Sequence, residues 1–215
     1  MKKTILFLLS FLLFSCVTKK TIEEPKEIVT KKNELSLWGA KAQIKEYKTE
    51  KVQQVTLDFV AQAAGAVRVD VSGPLGVSLA SLVVKNKKIQ YVLYRQKSFY
   101  EGVANEKALR SVFRMDLDAR YLMNICYDLP IQEKGWECQM DQGGRVERCQ
   151  NLGLGLSVLW SDRDGYKKRV TLSNAEYEVQ ILYKDYSTKV LDESQEQKGP
   201  FQLETPEGFQ KYKIL

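Results

Sequence analysis

Cysteine is the residue type with the most chemical reactivity in this chain, and histidine is missing altogether. Cysteines occur at positions 16, 126, 138 and 149 of the 215 residues. Without imidazole the chain cannot build a Ser-His or Cys-His nucleophile, or a metal site that uses histidine. Four aspartates fall in predicted turns or helix caps, unaccompanied by a base or a metal cluster: Asp116, Asp118, Asp162 and Asp164. We therefore expect a protein that is not an enzyme and holds no metal or other cofactor.

Cys138 and Cys149 flank a predicted hairpin turn at Gly143-Gly144. In antiparallel strands these two cysteines would lie opposite each other, at a separation that a disulfide can bridge. We predict that bond in an oxidising compartment. Cys126 is then left as a small buried apolar residue. The lack of a CxxC pair disfavours a redox role, and the three cysteines as ligands of one metal ion remain an alternative.

Cys16 ends a segment with the features of a secretory signal. Lys2 and Lys3 precede an apolar run, residues 5–14, which is too short to span a bilayer as a helix. Leu13-Phe14-Ser15-Cys16 resembles the bacterial lipobox, which implies cleavage before Cys16 and a covalent lipid on it, a diacylglyceryl thioether with an amide-linked acyl chain. Two or more such chains give stable anchoring. The alternative is an ordinary cleavage site with a chance cysteine.

The residue after Cys16 is Val17 rather than Asp, which in many Gram-negative lipoproteins favours sorting to the outer membrane. We therefore expect a lipid-anchored protein on the periplasmic face of the outer membrane. The longest other apolar stretches, residues 77–84 and 152–160, have the length of strands. Without Lys2 and Lys3 the chain carries 33 − 2 = 31 basic and 27 acidic residues, which are interspersed, so nucleic acid is not an expected partner.

The chain divides into three predicted segments. Residues 1–15 are the signal peptide, residues 16–35 the lipidated cysteine and a flexible linker, and residues 36–215 a single domain. Lys, Glu and Thr dominate residues 17–34, together with Pro25, and this composition is typical of a mobile linker. Fully extended, the linker would span roughly 60 Å.

Within the domain, apolar and polar residues alternate with period two, which predicts antiparallel strands with one dry face. Residues 105–130 switch to helical spacing and predict two short helices, capped by Asn105 and Asp116 and ended before Pro130. The chain is therefore predicted to be mainly β with a small α part. We expect a curled antiparallel sheet of about eleven strands, a half-open barrel, covered by the two short helices.

The corner Gly73-Pro74-Leu75-Gly76 holds a leucine where turn residues are usually polar. Val71-Ser72-Gly73-Pro74-Leu75-Gly76, followed by an apolar strand, resembles the LolB family of outer-membrane lipoprotein acceptors and, more broadly, the LolA/LolB-like fold. The helical pair ending in Leu-Pro and the C-terminal Pro206-Glu207-Gly208-Phe209 add to the resemblance. The predicted Cys138–Cys149 hairpin departs from it, which leaves a paralogue with another cargo as an alternative.

The resemblance implies an outer-membrane lipoprotein that binds the acyl chains of other lipoproteins in an apolar cavity and helps insert them into the membrane. Its partners would be acylated lipoproteins, a periplasmic lipoprotein carrier and the outer membrane, and we expect a monomer. Pro74, Leu75 and Gly76 would form the membrane-insertion loop, with Leu75 dipping into the leaflet. An ordinary turn that exposes a leucine is the alternative for this corner.

The inward-facing residues of the predicted strands are the candidate lining of that cavity: Val55, Leu57, Phe59, Val67, Val69, Val71, Leu79, Ile89, Tyr91, Leu93, Val158, Trp160, Val179 and Ile181. For each of them plain core packing is the alternative. A filled core would suit a structural or envelope-assembly lipoprotein that uses the same fold as a protein-interaction scaffold.

Overall fold

The computed structural model describes residues 34–110, 117–191 and 199–214. The predicted signal peptide, Cys16, Asp116 and nearly all of the linker lie outside these ranges. The strands are β1 (Glu34–Glu46), β2 (Val52–Gln62), β3 (Ala66–Ser72), β4 (Ser78–Lys85), β5 (Lys88–Leu93), β6 (Ser98–Val103), β7 (Glu137–Met140), β8 (Val146–Asn151), β9 (Leu156–Asp164), β10 (Lys167–Ser173), β11 (Tyr177–Val190) and β12 (Gln210–Ile214). Two 3₁₀ turns, Pro74–Gly76 and Ala119–Tyr121, and one α-helix, α1 (Leu122–Tyr127), complete the regular structure of the described residues.

All twelve strands belong to one sheet, in the order β12-β6-β5-β4-β3-β2-β1-β11-β10-β9-β8-β7. Two antiparallel meanders, β1–β6 and β7–β11, meet where β1 pairs with β11. β12 pairs in parallel with β6, so the sheet is mixed and not purely antiparallel as the alternation predicted. Because β12 and β7 occupy opposite edges, the barrel is unclosed, as predicted.

The two longest strands contain a bulge that contributes to the curl of the sheet. β1 and β11 pair over their whole length, but the register shifts between Gly39 and Ala40. A Cβ on Gly39 would lie 3.2 Å from Oδ2 of Asp185, so glycine allows the close approach at this bulge. A bulge increases the local right-handed twist, which bends the sheet around its concave face.

The concave face is covered by the connection between β6 and β7, which must cross from one edge of the sheet to the other. We call residues 117–127, the 3₁₀ turn and α1, the helical cover. Its inner side buries Leu117, Leu122 and Ile125 in the main hydrophobic cluster of the sheet.

The prediction of two helices is only partly right. Asn105 does cap, since its side-chain oxygen accepts from the backbone N–H groups of Lys107 (3.0 Å) and Ala108 (3.1 Å). Residues 106–109 form turns and Arg110 is helical, but the next part of the predicted first helix, residues 111–116, lies outside the described residues. In the second segment Asp118 is the cap, with Oδ1 accepting from the backbone N–H of Arg120 at 2.9 Å. Three residues of 3₁₀ turn therefore take up the start of the predicted second helix.

The convex face of β1–β6 is covered by the C-terminal segment, residues 199–209. Phe201 and Leu203 pack there against Val83, Val92 and Phe99. Two hydrogen bonds hold this segment on the sheet. Arg68 Nη1 donates to the carbonyl of Pro200 (3.3 Å), and the N–H of Leu203 donates to Oε1 of Gln90 (3.1 Å). This path brings Gln210 beside Ser98 at the start of β6, and from there β12 runs parallel to β6.

No helix within the described parts of the chain is long and apolar enough to cross a membrane.

Candidate functional site

The predicted cavity residues lie, with one exception, on the concave face. Eleven of them are buried members of the main cluster: Leu57, Phe59, Val67, Val69, Ile89, Tyr91, Leu93, Val158, Trp160, Val179 and Ile181. Val55 and Val71 are half-buried and pack against that cluster. The alternation of the strands was therefore sufficient to assign these residues to one face.

Leu79 is the exception. In β4 the residues of the main cluster are Ala80, Leu82 and Val84, which have the opposite phase. A register shift after Val71 pairs Ser72 with Ser78 and leaves Leu79 half-buried beside the corner. Residues 77–84 are apolar on both faces, so alternation could not fix their phase.

A small void lies between the concave face and the helical cover. Its lining is entirely apolar, with four residues from strands and three from the cover: Phe59, Leu172, Val179 and Ile181 with Leu117, Leu122 and Ile125. The volume is about 10 Å³, which is at most the space that one water molecule needs. In this conformation the apolar space is filled by side chains, and an acyl chain could enter only if the cover moved.

Side chains of the sheet hold the helical cover in place. Tyr127 packs edge-on against Trp38 of β1, with ring centroids 5.2 Å apart. Trp160 of β9 donates its indole N–H to the carbonyl of Ile125 at 3.5 Å. These contacts hold the cover closed without joining it to the sheet by a ladder of backbone hydrogen bonds.

The C-terminal end of α1 is capped by a buried lysine from β10. Nζ of Lys168 donates to the carbonyls of Ile125 (3.1 Å) and Cys126 (2.5 Å) and to Oδ1 of Asp128 (2.5 Å). Lys168 is only 4% exposed. A cation at a helix C-terminus satisfies carbonyls that have no partner in the helix and favours the helix dipole. Sequence reasoning missed this contact because Lys168 stands in a strand of ordinary alternation.

Cys126 is buried on the inner side of α1, and Sγ lies 3.9 Å from the Tyr183 hydroxyl. Burial raises the pKa of the Cys126 thiol to about 11, despite the nearby Lys168. Burial likewise raises the pKa of Tyr183 well above its usual value. The thiol is therefore an unreactive core group, in agreement with its predicted packing role.

The corner between β3 and β4 presents Leu75 entirely to solvent, with 100% of the side chain exposed. Leu75 adopts the left-handed conformation, with φ 62° and ψ 19°. That conformation costs an L-residue other than glycine roughly 1–2 kcal/mol. The corner is braced by hydrogen bonds from the N–H of Gly73 to the carbonyl of Val77 (2.8 Å) and from the N–H of Gly76 to the carbonyl of Gly73 (3.2 Å). A strained, fully exposed leucine on a hydrogen-bonded turn leads to the hypothesis that this residue has a function.

The strand registers bring five loops to the same end of the half-barrel, which we call the mouth. These loops are residues 47–51, 73–77, 94–97, 152–155 and 174–176, as the pairs Lys45–Val52, Thr56–Ser72, Leu93–Ser98, Asn151–Leu156 and Glu46–Tyr177 show. The first residue of β1, Glu34, pairs with Val190 at the opposite end. The predicted linker therefore joins the domain at the end remote from Leu75.

The loop of residues 152–155 is a second exposed apolar feature of the mouth. The sequence Leu152-Gly153-Leu154-Gly155 was predicted to run into a strand that includes Leu154, but it forms a turn and β9 begins only at Leu156. Leu152 is 79% exposed. The left-handed φ of Gly155, 62°, is the physical reason for the turn and explains why glycine stands there.

A cavity of about 510 Å³ opens at the mouth. Its lining comes from the 152–155 loop, the β10–β11 turn and the residue before the helical connection: Leu154, Gly155, Asn174, Ala175, Glu176, Tyr177 and Arg110. No local sequence pattern indicates this site, because its residues meet only through the pairing of β8 to β11.

Cys138 and Cys149 are direct register partners in β7 and β8 and form a disulfide with an S–S distance of 1.96 Å. Gly144 occupies the turn with a positive φ of 76°. The bond ties the edge strand β7 to its neighbour. Among the described residues no group of three or more His, Cys, Asp or Glu is placed to hold a metal ion.

Comparison with known proteins identifies the fold. No protein-family model matches the sequence. No curated protein matches it either. A LolA superfamily protein of Nitrosomonas europaea has a similar structure, with a TM-score of 0.55 and 9% identity over 80% of this chain and 94% of that one. A DUF1329 family protein of Desulfovibrio piger matches with a TM-score of 0.50 and 13% identity over 78% and 91%. The chain therefore has a LolA-like fold, a mainly β, curled and unclosed sheet.

Proposed function

We propose that the protein is an outer-membrane lipoprotein that takes up the acyl chains of other lipoproteins between its concave sheet and helical cover. The observation that supports it most directly is the void lined wholly by apolar side chains, three of the seven belonging to the short helical cover. A LolA-like fold supports the proposal, since a LolA superfamily protein has a similar structure and the sequence itself resembles the LolB family of lipoprotein acceptors.

The physical reason for such a carrier is the cost of exposing acyl chains to water, about 0.8 kcal/mol for each CH₂. A carrier must also release its cargo, so binding should not be too favourable. A site that is filled by its own side chains until the cover moves meets this requirement. Opening the cover costs free energy, and that cost lowers the net affinity for the cargo.

We also propose where in the cell the protein acts and which partners it has. Lipid on Cys16 would anchor the chain at the periplasmic face of the outer membrane, and the chain would act as a monomer without a cofactor and without enzymatic activity. Acylated lipoproteins would arrive from a periplasmic carrier. The corner Pro74, Leu75 and Gly76, which resembles the LolB corner, would touch the leaflet where the cargo is released, and full exposure of Leu75 supports that role.

The test is transfer of an acylated lipoprotein. A labelled lipoprotein bound to a periplasmic carrier is mixed with this chain, in which Cys16→Ser removes its own lipid site. Appearance of the label on this chain, and its later appearance in outer-membrane vesicles when Cys16 is intact, are the expected results. Failure of the label to leave the carrier would contradict the proposal.

A scaffold without lipid cargo is the second candidate, and one observation favours it. The void of about 10 Å³ leaves no space for a chain in the closed conformation. Mass spectrometry of the protein purified under native conditions separates the candidates. Acyl ligand that co-purifies or exchanges supports the carrier, and a ligand-free protein that binds no added acyl chain supports the scaffold.

A further inference from the structure

The mouth cavity and the apolar void are consecutive sections of one wall. Tyr177, Val179 and Ile181 are alternate residues of β11, so their side chains leave the strand on the same face. Tyr177 lines the mouth cavity, whereas Val179 and Ile181 line the void. Two residues of a strand advance about 7 Å. The two spaces therefore follow one another along the barrel axis.

The two spaces differ in polarity in the same way as the hydrocarbon chains and the polar head of an amphiphile. The void has an entirely apolar lining. The mouth cavity combines the polar residues Arg110, Asn174, Glu176 and Tyr177 with Leu154 and the small residue Ala175. At about 510 Å³ it is within the size range of small-molecule sites. A polar group of the size of a lipid head fits the first space, and hydrocarbon fits only the second.

The polar wall of the mouth cavity is preformed. Oδ1 of Asn174 accepts hydrogen bonds from the backbone N–H groups of Glu176 (2.8 Å) and Tyr177 (2.7 Å). The N–H of Tyr47 in turn donates to the carbonyl of Glu176 at 2.9 Å. These bonds fix the β10–β11 turn before any ligand arrives, which lowers the entropic cost of binding there.

From this arrangement we propose that the mouth cavity binds the head of an acylated ligand, the hydrogen-bonding glyceryl and amide groups where its chains join. This inference rests on the proposed function and adds the site and the order of events. The head group binds first, in a cavity that exists while the cover is closed. The chains then follow the β10–β11 wall under α1 and displace the cover.

The experiment uses the full chain with Cys16→Ser and a synthetic diacylglyceryl-cysteine amphiphile that carries a photoreactive diazirine. In one version the diazirine is on the head group, and in the other it is at the end of an acyl chain. We expect the head-group probe to label residues 152–155 and 174–177, and the chain-end probe to label α1 at Leu122 or Ile125. Labelled peptides are identified by mass spectrometry.

A variant and a matched control test the site by affinity. Ala175→Trp places an indole in the mouth cavity and should weaken binding of the amphiphile at least tenfold. Ala64→Trp makes the same change at another exposed alanine, in the β2–β3 turn at the opposite end of the barrel, and should leave binding unchanged. Because the labelling experiment needs no substitution in the domain, it remains decisive if Ala175→Trp does not fold.

The outcomes separate this inference from the proposed function. If the amphiphile binds but the head-group probe labels residues away from the mouth, or Ala175→Trp binds as tightly as the unsubstituted chain, the head-group site is refuted and the carrier function stands. If the unsubstituted chain binds no amphiphile at all, the carrier function fails and the head-group site fails with it.

Discussion

Lys168 and Asp128 form a close ion pair, 2.5 Å between Nζ and Oδ1, at the point where the helical cover meets the sheet. Asp128 is the left-handed residue that ends α1, with φ 55° and ψ 42°. Nε of Arg163 also lies 3.4 Å from Oδ2 of the same carboxylate. One end of the cover is thus held by two cations from neighbouring strands.

Replacing the buried cation should loosen the cover. Lys168→Met removes the donor to the carbonyls of Ile125 and Cys126, and unsatisfied buried acceptors cost about 1–3 kcal/mol. We expect the free energy of unfolding in urea to fall by about 2 kcal/mol. We also expect a fluorescent acyl probe to bind faster, because the cover opens more often.

Lys167→Met is the control for this change, because Lys167 is the exposed neighbour in the same strand. It should alter neither stability nor binding rate. Unchanged stability in Lys168→Met would contradict the role assigned to the ion pair.

The thiol of Cys126 should report whether acyl chains open the cover. With Cys16→Ser and the Cys138–Cys149 disulfide intact, Cys126 is the single free thiol. Its pKa of about 11 leaves on the order of 0.1% thiolate at pH 8, and burial blocks reagents as well. Alkylation of the free protein should therefore be very slow and should accelerate as the pH approaches 11.

Adding an acyl amphiphile should increase the alkylation rate at pH 8 at least tenfold, since a displaced α1 exposes the thiol and lets its pKa return toward the usual range. Alkylation followed by intact-mass spectrometry measures the rate. A short-chain amphiphile that binds weakly is the control. A rate that does not change while the amphiphile is bound would show that the cover stays closed.

The side chain of Leu75 can be replaced without destabilising the fold, so its role in delivery can be tested directly. Because the side chain is fully exposed, Leu75→Glu should change the free energy of unfolding by less than about 0.5 kcal/mol. We expect it to abolish delivery of a lipoprotein into vesicles while uptake from the periplasmic carrier continues.

Val190→Glu is the matched change at the remote end of the barrel, where Val190 is also largely exposed. It should preserve delivery. Equal delivery by Leu75→Glu and the unsubstituted chain would exclude the insertion role.

The length of the linker should matter, because the proposed anchor and Leu75 would be attached at opposite ends of the barrel. β1 has 13 residues and measures at most about 45 Å, whereas residues 17–33 can extend to about 60 Å. Deletion of residues 20–29 should leave a linker too short for the mouth to reach the membrane of its own anchor.

That deletion should abolish delivery in the lipidated chain but not acyl binding. Replacing the same ten residues with Gly and Ser keeps the length and should restore delivery. Delivery that survives the deletion would mean that the mouth does not have to touch the anchoring membrane.

The strands of this fold were predictable because each one exposes one face to the core. Leu57, Phe59, Val67 and Val69 carry the alternation plainly, and all four lie on the concave face. Leu79 could not be placed, since its neighbours in β4 are apolar on both faces and the bulge after Val71 shifts the phase. In a strand that is covered on both faces, apolar and polar residues do not alternate. The sequence then does not indicate which side chains face the concave side of the sheet.

The site was less predictable than the fold, because it depends on contacts between distant parts of the chain. Lys168 reaches the carbonyl of Cys126 across 42 positions. The parallel β12 depends on the path of residues 199–209 over the convex face, which leaves no local pattern. Leu75 was identified from its motif, but its left-handed backbone became evident only with the structure.

The seam between β1 and β11 also determines how the protein can fold. β1 pairs locally with β2, but its other partner begins 131 positions after the end of β1, where Glu46 meets Tyr177. Pairing over such separations is slow, since loop closure must precede the stabilising contacts. The chain must therefore remain partly unpaired until β11 has been synthesised. During that interval β1 is an open strand edge, the kind of surface that is prone to aggregation.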